Sequence, residues 1–339
     1  HTAYRRQRQM CIRDRAHINN GSYTAINWNN IEDELDKATW EKLTQQFWLD
    51  TRIPISNDLR TWRGNMSEQE RQTMNLVFGG LTTLDTLQSQ DGMAQLKLDA
   101  TNQKEEAVLN NIQFMESVHA KSYSSIFETL NEKVEIEKIF EWADSNEFLQ
   151  YKANRINDIY HNGSALQKKI ASVFLETFLF YSGFYTPLYF LGHNKMLNVA
   201  EIIKLIIRDE SVHGTYIGYK FQIGFNKISA EERTELQSWM YDLLYELYEN
   251  EEKYTHELYD DLGWTEQVLT FLRYNANKAL MNLGQEPMFP DGAEDVNPVV
   301  MNGISTSTAN HDFFSGVGNG YLLGEVEAMN DDDYNIGLD

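Results

Sequence analysis

Long stretches of the chain carry apolar residues at every third or fourth position, a period that predicts amphipathic α-helices. Ser67 and Ser229 are each followed three residues later by Glu, a capping-box pattern typical of a helix start. The predicted helices span about 28–49, 67–98, 102–130, 133–160, 165–191, 195–224, 229–259 and 264–284. No segment shows convincing strand alternation, so we predict an all-α bundle.

The composition supports a globular, helical protein. The 339 residues are 42% hydrophobic and 24% charged, and no proline lies between Pro54 and Pro187. The formal net charge of −22 argues against a surface that binds nucleic acid or anionic lipid. Cys11 is the only cysteine and cannot form an internal disulfide, so we expect a reducing, cytoplasmic location.

Three segments are expected from the charge distribution. Residues 1–18 carry five arginines and only one acid, and the run RRQRQMCIRDR looks like translated vector sequence, so we treat them as extraneous. An arginine-rich targeting helix is the alternative. Residues 19–310 are then the helical domain, and 311–339 a flexible acidic tail that can fold onto a partner.

The apolar run from Ile170 to Leu191 is long enough to suggest a membrane span. Glu176 lies near its middle, Pro187 interrupts it, and the flanking loops are not enriched in lysine or arginine. A helix that is apolar on every face is more typical of the centre of a large bundle. We therefore expect no membrane association.

One pattern of candidate ligands occurs twice: a lone carboxylate in an apolar run, then a Glu-x-x-His pair on the next long helix. The residues are Asp85, Glu116, His119, Glu176, Glu210 and His213. Glu and His three positions apart share a helical face and can reach one ion. The carboxylate and the following Glu are 31 residues apart in one half and 34 in the other, so the two halves match. The repeat predicts a di-metal site in a four-helix bundle.

Electrostatics favours the same interpretation. A single Glu-x-x-His pair is common on solvated helices, but four carboxylates in an apolar interior need compensating cations. Oxygen ligands with one histidine per ion suit iron or manganese better than zinc or copper.

Tyr123 follows His119 by four residues, which places its phenol on the ligand face of the helix. A phenol beside an oxidisable di-metal centre can lose an electron and a proton and persist as a radical. Since the chain has 18 tyrosines, ordinary core packing is the alternative.

At these residues the chain resembles the small, radical-generating subunit of class I ribonucleotide reductase, most closely the class Ib branch. The resemblance covers about residues 24–339 and is carried by AINWNNIEDELDKATWEKLTQQFWL, FMESVHAKSYSSIFETL, KKIASVFLETFLFYSGFY, LIIRDESVHGTYIGYK, YNANKALMNLG and NHDFFSGVGNGY. It implies a ferritin-like fold, a homodimer, two manganese or two iron ions on the six ligands, and a stable radical on Tyr123.

The resemblance also implies three further site residues. Trp48 begins the long-range radical path, Asp209 links that tryptophan to a metal-bound histidine, and Tyr321 passes the radical to the large catalytic subunit. The large subunit is bound through the C-terminal tail and reduces ribonucleotides to deoxyribonucleotides. A manganese-loaded centre would also need a flavodoxin-like activator.

Two alternatives remain open from the sequence. A ferritin-like di-metal oxidase that acts on a small molecule would need no large subunit and no tail. A metal-storage protein of the ferritin kind would form a hollow shell of many subunits.

The glycine-rich run Gly316 to Gly320 is not predicted to be a nucleotide-binding loop, because no strand precedes it and no helix follows it in the sequence pattern.

Overall fold

The computed structural model describes residues 18–19, 22–289 and 292–304. Within these ranges the chain is almost entirely helical, as predicted. The helices are α1 (Glu34–Gln45), α2 (Leu59–Gly64), α3 (Glu68–Leu87), α4 (Met93–Lys97), α5 (Gln103–Leu130), α6 (Lys133–Ser145), α7 (Glu147–Asn162), α8 (Ala165–Phe174), α9 (Tyr181–Gly192), α10 (Leu197–Phe225), α11 (Ala230–Tyr259), α12 (Thr265–Asn282) and α13 (Pro298–Ile304).

Short elements complete the secondary structure. Strands β1 (Ile18–Asn19) and β2 (Ser22–Tyr23) pair antiparallel. Single 3₁₀ turns cover Asp50–Arg52, Ile55–Asp58 and Asp260–Leu262. Two π-helical segments, Gln88–Gly92 and Leu175–Leu179, join α3 to α4 and α8 to α9. Such π turns are frequently found at functional sites.

Local capping explains where several helices begin. Ser67 and Ser229 form complete capping boxes at α3 and α11, as their spacing predicts. The Asn102 side chain accepts hydrogen bonds from the backbone N–H groups of Lys104 and Glu105 at the start of α5.

Two predicted helix boundaries are wrong. The single helix expected over 133–160 is divided into α6 and α7 at Asn146, which is extended (ψ 119°) and caps α7 by accepting from the Leu149 N–H. The helix expected over 28–49 ends at Gln45, so Trp48 lies in the loop that follows it.

The centre of the bundle is formed by α3, α5, α8 with α9, and α10. Helix α3 packs against α5 and α9, while α10 packs against α8, α9 and α5. The aromatic side chains between them, including Phe78, Phe174 and Phe178, are fully buried. The remaining long helices pack around this central group. Polar side chains that the central helices direct inward are therefore shielded from solvent.

Candidate metal centre

The six predicted ligands lie in one buried cluster at the centre of the bundle. Helix α3 supplies one residue, α5 two, the π segment after α8 one, and α10 two. In chain order they are Asp85, Glu116, His119, Glu176, Glu210 and His213. All six residues are at most 1% exposed.

The possible ligand atoms form two groups, within each of which all atoms lie within 4.8 Å of one another. The first group is Asp85, Glu116, His119 and Glu210, and the second is Glu116, Glu176, Glu210 and His213. Glu116 and Glu210 belong to both groups, so their carboxylates can bridge two ions. Each group then keeps one further carboxylate and one imidazole.

Orphaned polar atoms provide a test of whether this cluster fits two ions. His119 Nδ1 lies 2.9 Å from Glu210 Oε1, and His213 Nδ1 lies 2.9 Å from Glu116 Oε1. None of these four atoms, and neither oxygen of Asp85, makes a hydrogen bond within the described part of the chain. Buried polar atoms without partners are costly. Six such atoms converging on one region fit a pair of cations.

Proton affinities in the metal-free cluster indicate the same need for positive charge. Burial and the neighbouring Glu116 carboxylate raise the pKa of Asp85 well above its ordinary value. Burial alone would raise the pKa of Glu116, but the His119 and His213 imidazoles lower it to about 2. Positive charge on the imidazoles thus favours the ionised form of Glu116, and divalent cations can supply positive charge in the same way.

Tyr123 lies one turn beyond His119 on α5 and is completely buried. Its hydroxyl has no hydrogen-bond partner among the described residues, and its ring packs against Phe78 with the centroids 5.5 Å apart. Burial and the charge of Asp85 raise the pKa of the phenol well above 10. The phenol is therefore protonated, shielded from water and close enough to the carboxylates to feel their charge.

Asp209 connects this cluster to Trp48. One Asp209 oxygen, Oδ2, lies 2.7 Å from the Trp48 indole nitrogen, which donates to it, and 3.1 Å from His119 Nε2. The Trp48 and His119 rings are nearly parallel, with centroids 5.9 Å apart. Trp48 is 2% exposed. A continuous hydrogen-bonded path thus runs from a loop near the surface to the histidine of the first ligand group.

Several polar residues around the cluster were not predicted from the sequence. The Gln46 side-chain amide donates to Asp209 Oδ1 at 2.8 Å. Gln88 donates to Ser172 and to Glu176. Gln88 is three residues after Asp85, so the helical spacing that suggested the candidate ligands could also have suggested Gln88. Gln46 offered no comparable signal.

Part of the predicted site lies outside the described residues. Tyr321 and the tail 311–339 belong to this part, as do residues 1–17 of the segment treated as extraneous. Among the helices that the structure does describe, none combines the length and apolar character needed to cross a membrane.

Comparison with known proteins decides the family. The sequence model for "Ribonucleotide reductase, small chain" matches residues 25–298, most of the chain. The chain belongs to the ribonucleotide reductase small-chain family. The resemblance predicted from the sequence motifs is confirmed, and so is the ferritin-like helical fold.

Individual ribonucleotide reductase small chains match over nearly their whole length. The nrdF2 beta subunit of Mycobacterium tuberculosis (strain H37Rv) is 51% identical over 314 residues, 92% of this chain and 97% of the relative. The beta subunit of ribonucleoside-diphosphate reductase 2 from Escherichia coli K12 is also 51% identical over 314 residues, 92% of this chain and 98% of that relative.

A solved structure gives the same result. The dimanganese(II)-NrdF of Streptococcus sanguinis is 71% identical, with a TM-score of 0.82 over 83% of this chain and 99% of that one. These similarities confirm the predicted class Ib branch of the family. They also disfavour the free-standing oxidase and the storage protein.

Proposed function

We propose that this chain, the small subunit of a class Ib ribonucleotide reductase, holds two manganese or two iron ions in the buried cluster and stores a radical on Tyr123. The observation that carries the proposal is the pair of ligand groups that share Glu116 and Glu210. One turn of α5 separates the ligand His119 from the shielded phenol.

The chain's own residues then have distinct tasks. Glu116 and Glu210, which belong to both groups, would be shared between the two ions, and Asp85 with His119 and Glu176 with His213 would complete the two sets of ligands. Asp209 accepts a hydrogen bond from His119 Nε2, which leaves Nδ1 free to ligate. When bound and oxidised, the ion pair supplies the one-electron oxidant for the phenol.

Tyr123 would give up one electron to that oxidant and its hydroxyl proton to the Asp85 carboxylate, whose charge acts on the phenol, and would become a neutral radical. Its complete burial keeps water and reductants away, so the radical can persist. The oxidising equivalent leaves through the path of Asp209, Trp48 and Tyr321 to the large subunit. There it serves the removal of the ribonucleotide 2′-hydroxyl.

Membership of the family implies a large-subunit partner and a homodimer. We further propose that the tail 311–339 binds the large subunit, that a flavodoxin-like protein activates a manganese-loaded centre, and that the complex works in the cytoplasm. The folded unit of the proposal is 19–310, with residues 1–18 outside it.

Low-temperature electron paramagnetic resonance (EPR) tests the metal and the radical together. One sample receives iron and oxygen, the other manganese with a reduced flavodoxin-like activator, and bound metal is assayed in both. We expect two ions per chain and an organic radical near the free-electron g value. Tyr123→Phe should keep the metal and lose the radical, whereas the control Tyr259→Phe, a buried tyrosine outside the cluster, should keep both.

The two parts of the proposal can fail separately. Two bound ions without a radical in either sample would refute the role of Tyr123 but leave the metal site intact. The tail is tested by Tyr321→Phe, which should keep the radical and abolish turnover with the large subunit. Normal turnover by that variant would refute the role assigned to Tyr321.

A further inference from the structure

Gln88 is a fully buried residue that belongs to neither group of possible ligands. It begins the π segment Gln88–Gly92. Its Nε2 donates to Ser172 Oγ at 2.9 Å and to Glu176 Oε1. Its Oε1 accepts from the Tyr160 hydroxyl at 2.6 Å. Both ends of the amide are therefore held.

The chemistry of the partners fixes the orientation of this amide. A carboxylate that ligates a cation can only accept hydrogen bonds, so the end of Gln88 that faces Glu176 is the NH₂ group. The opposite end is then the carbonyl oxygen, which needs a donor. The Tyr160 hydroxyl is that donor. Burial, and to a lesser extent the charge of Glu176, raises the pKa of this hydroxyl well above 10, so it keeps the proton that it donates.

This arrangement makes the two oxygens of Glu176 different. Oε1 is engaged by Gln88, whereas Oε2 has no hydrogen-bond partner among the described residues and lies 3.4 Å from His213 Nδ1. Only Oε2 is therefore free and directed at the second ligand group. A carboxylate without such a restraint could rotate and present both oxygens.

Packing keeps the amide in place. A Cβ added to Gly92 would overlap Gln88 Oε1 and lie 2.9 Å from Tyr160 Cε2. The π segment thus has a glycine where a side chain would displace the amide. Tyr160 is on α7, which carries none of the six ligands, so an outer helix of the bundle reaches the cluster through Gln88.

We propose that Gln88 is a positioning residue that holds Glu176 Oε1, so that Oε2 alone ligates the second ion, with Tyr160 fixing the orientation of the amide. The inference rests on the proposed metal function. It predicts that the loss of Gln88 weakens the second ligand group and spares the first, because the first group does not include Glu176.

The test is a manganese(II) titration of the full metal-free chain, with free manganese followed by EPR. We expect Gln88→Met to bind one of its two ions as the unaltered chain does and the other about 10- to 100-fold more weakly, as is usual when a partner of a metal ligand is lost. Gln150→Met is the matched control, since Gln150 on α7 also donates an amide hydrogen bond, but to the Ala143 backbone carbonyl on α6, which carries none of the six ligands. Its two affinities should not change.

Tyr160→Phe is the second variant, and it keeps the amide while removing its donor. We expect it to weaken the second ion by less than Gln88→Met does. Circular dichroism establishes that each variant is folded. If the unaltered chain bound neither manganese nor iron(II), the proposed function would fail. If the unaltered chain bound two ions and both variants bound them with unchanged affinities, only the role of Gln88 would be refuted. Equal weakening of the binding of both ions in Gln88→Met would also refute that role.

Discussion

Tyr123→Phe should stabilise the metal-free protein, although Tyr123 is central to the proposed function. The Tyr123 hydroxyl is completely buried and has no hydrogen-bond partner in the described part of the structure. A buried hydroxyl in that situation costs about 1–3 kcal/mol. Phenylalanine keeps the ring and its contact with Phe78 but removes that cost. We expect a gain of about 1 kcal/mol, or about 2 °C in Tm for a chain of this size.

The matched control is Tyr259→Phe. Tyr259 is equally buried, but its hydroxyl donates to the Ser182 carbonyl oxygen and lies 2.8 Å from Thr186 Oγ1. Removing it takes one buried hydrogen bond from each partner, so we expect a loss of about 1–3 kcal/mol. The two substitutions delete the same atom, and their opposite effects isolate the contribution of hydrogen bonding.

Differential scanning calorimetry in the presence of a chelator measures both variants. A higher Tm for Tyr123→Phe and a lower one for Tyr259→Phe is the expected pair of results. A fall in Tm for Tyr123→Phe as large as that for Tyr259→Phe would refute the reasoning, because it would mean that the Tyr123 hydroxyl is hydrogen-bonded in the metal-free protein.

Three further predictions concern other buried charges. Lys152 and Glu251 form a fully buried ion pair, so Lys152→Met should lower the free energy of unfolding, measured by urea denaturation, by about 3–5 kcal/mol. The double variant Lys152→Met with Glu251→Leu should recover most of this loss, and equal losses in the two variants would contradict the reasoning. Burial alone would lower the pKa of His119, but its hydrogen bond to Asp209 raises it to about 10, so a proton must leave before His119 Nδ1 ligates. Manganese affinity should therefore rise between about pH 6 and about pH 8 in a titration at constant ionic strength, and a decrease would refute the assignment. Asp209→Ala removes the hydrogen-bond acceptor that Trp48 and His119 share. Turnover with the large subunit, measured as deoxyribonucleotide formed, should fall at least about tenfold, whereas the control Tyr259→Phe should leave turnover unchanged.

Local sequence patterns determined the helical class and indicated the candidate ligands. The capping boxes at Ser67 and Ser229 act within one turn, so their effect can be read without knowing the rest of the fold. The same holds for the two Glu-x-x-His pairs, because helical geometry alone places residues three apart on one face. The break at Asn146 was missed, since the apolar period continues across it and the deciding contact is a cap formed by a single side chain.

The tertiary structure decided which distant side chains meet. Trp48 and Asp209 are 161 residues apart, and Gln88 and Glu176 are 88 apart, and no periodic pattern relates either pair. The two π segments and the packing of four helices bring these groups within hydrogen-bond distance. Contacts of this kind depend on how helices pack rather than on the order of residues within one helix. The sequence by itself therefore indicated which residues could bind ions, and only the fold decided which distant side chains lie within hydrogen-bond distance of them.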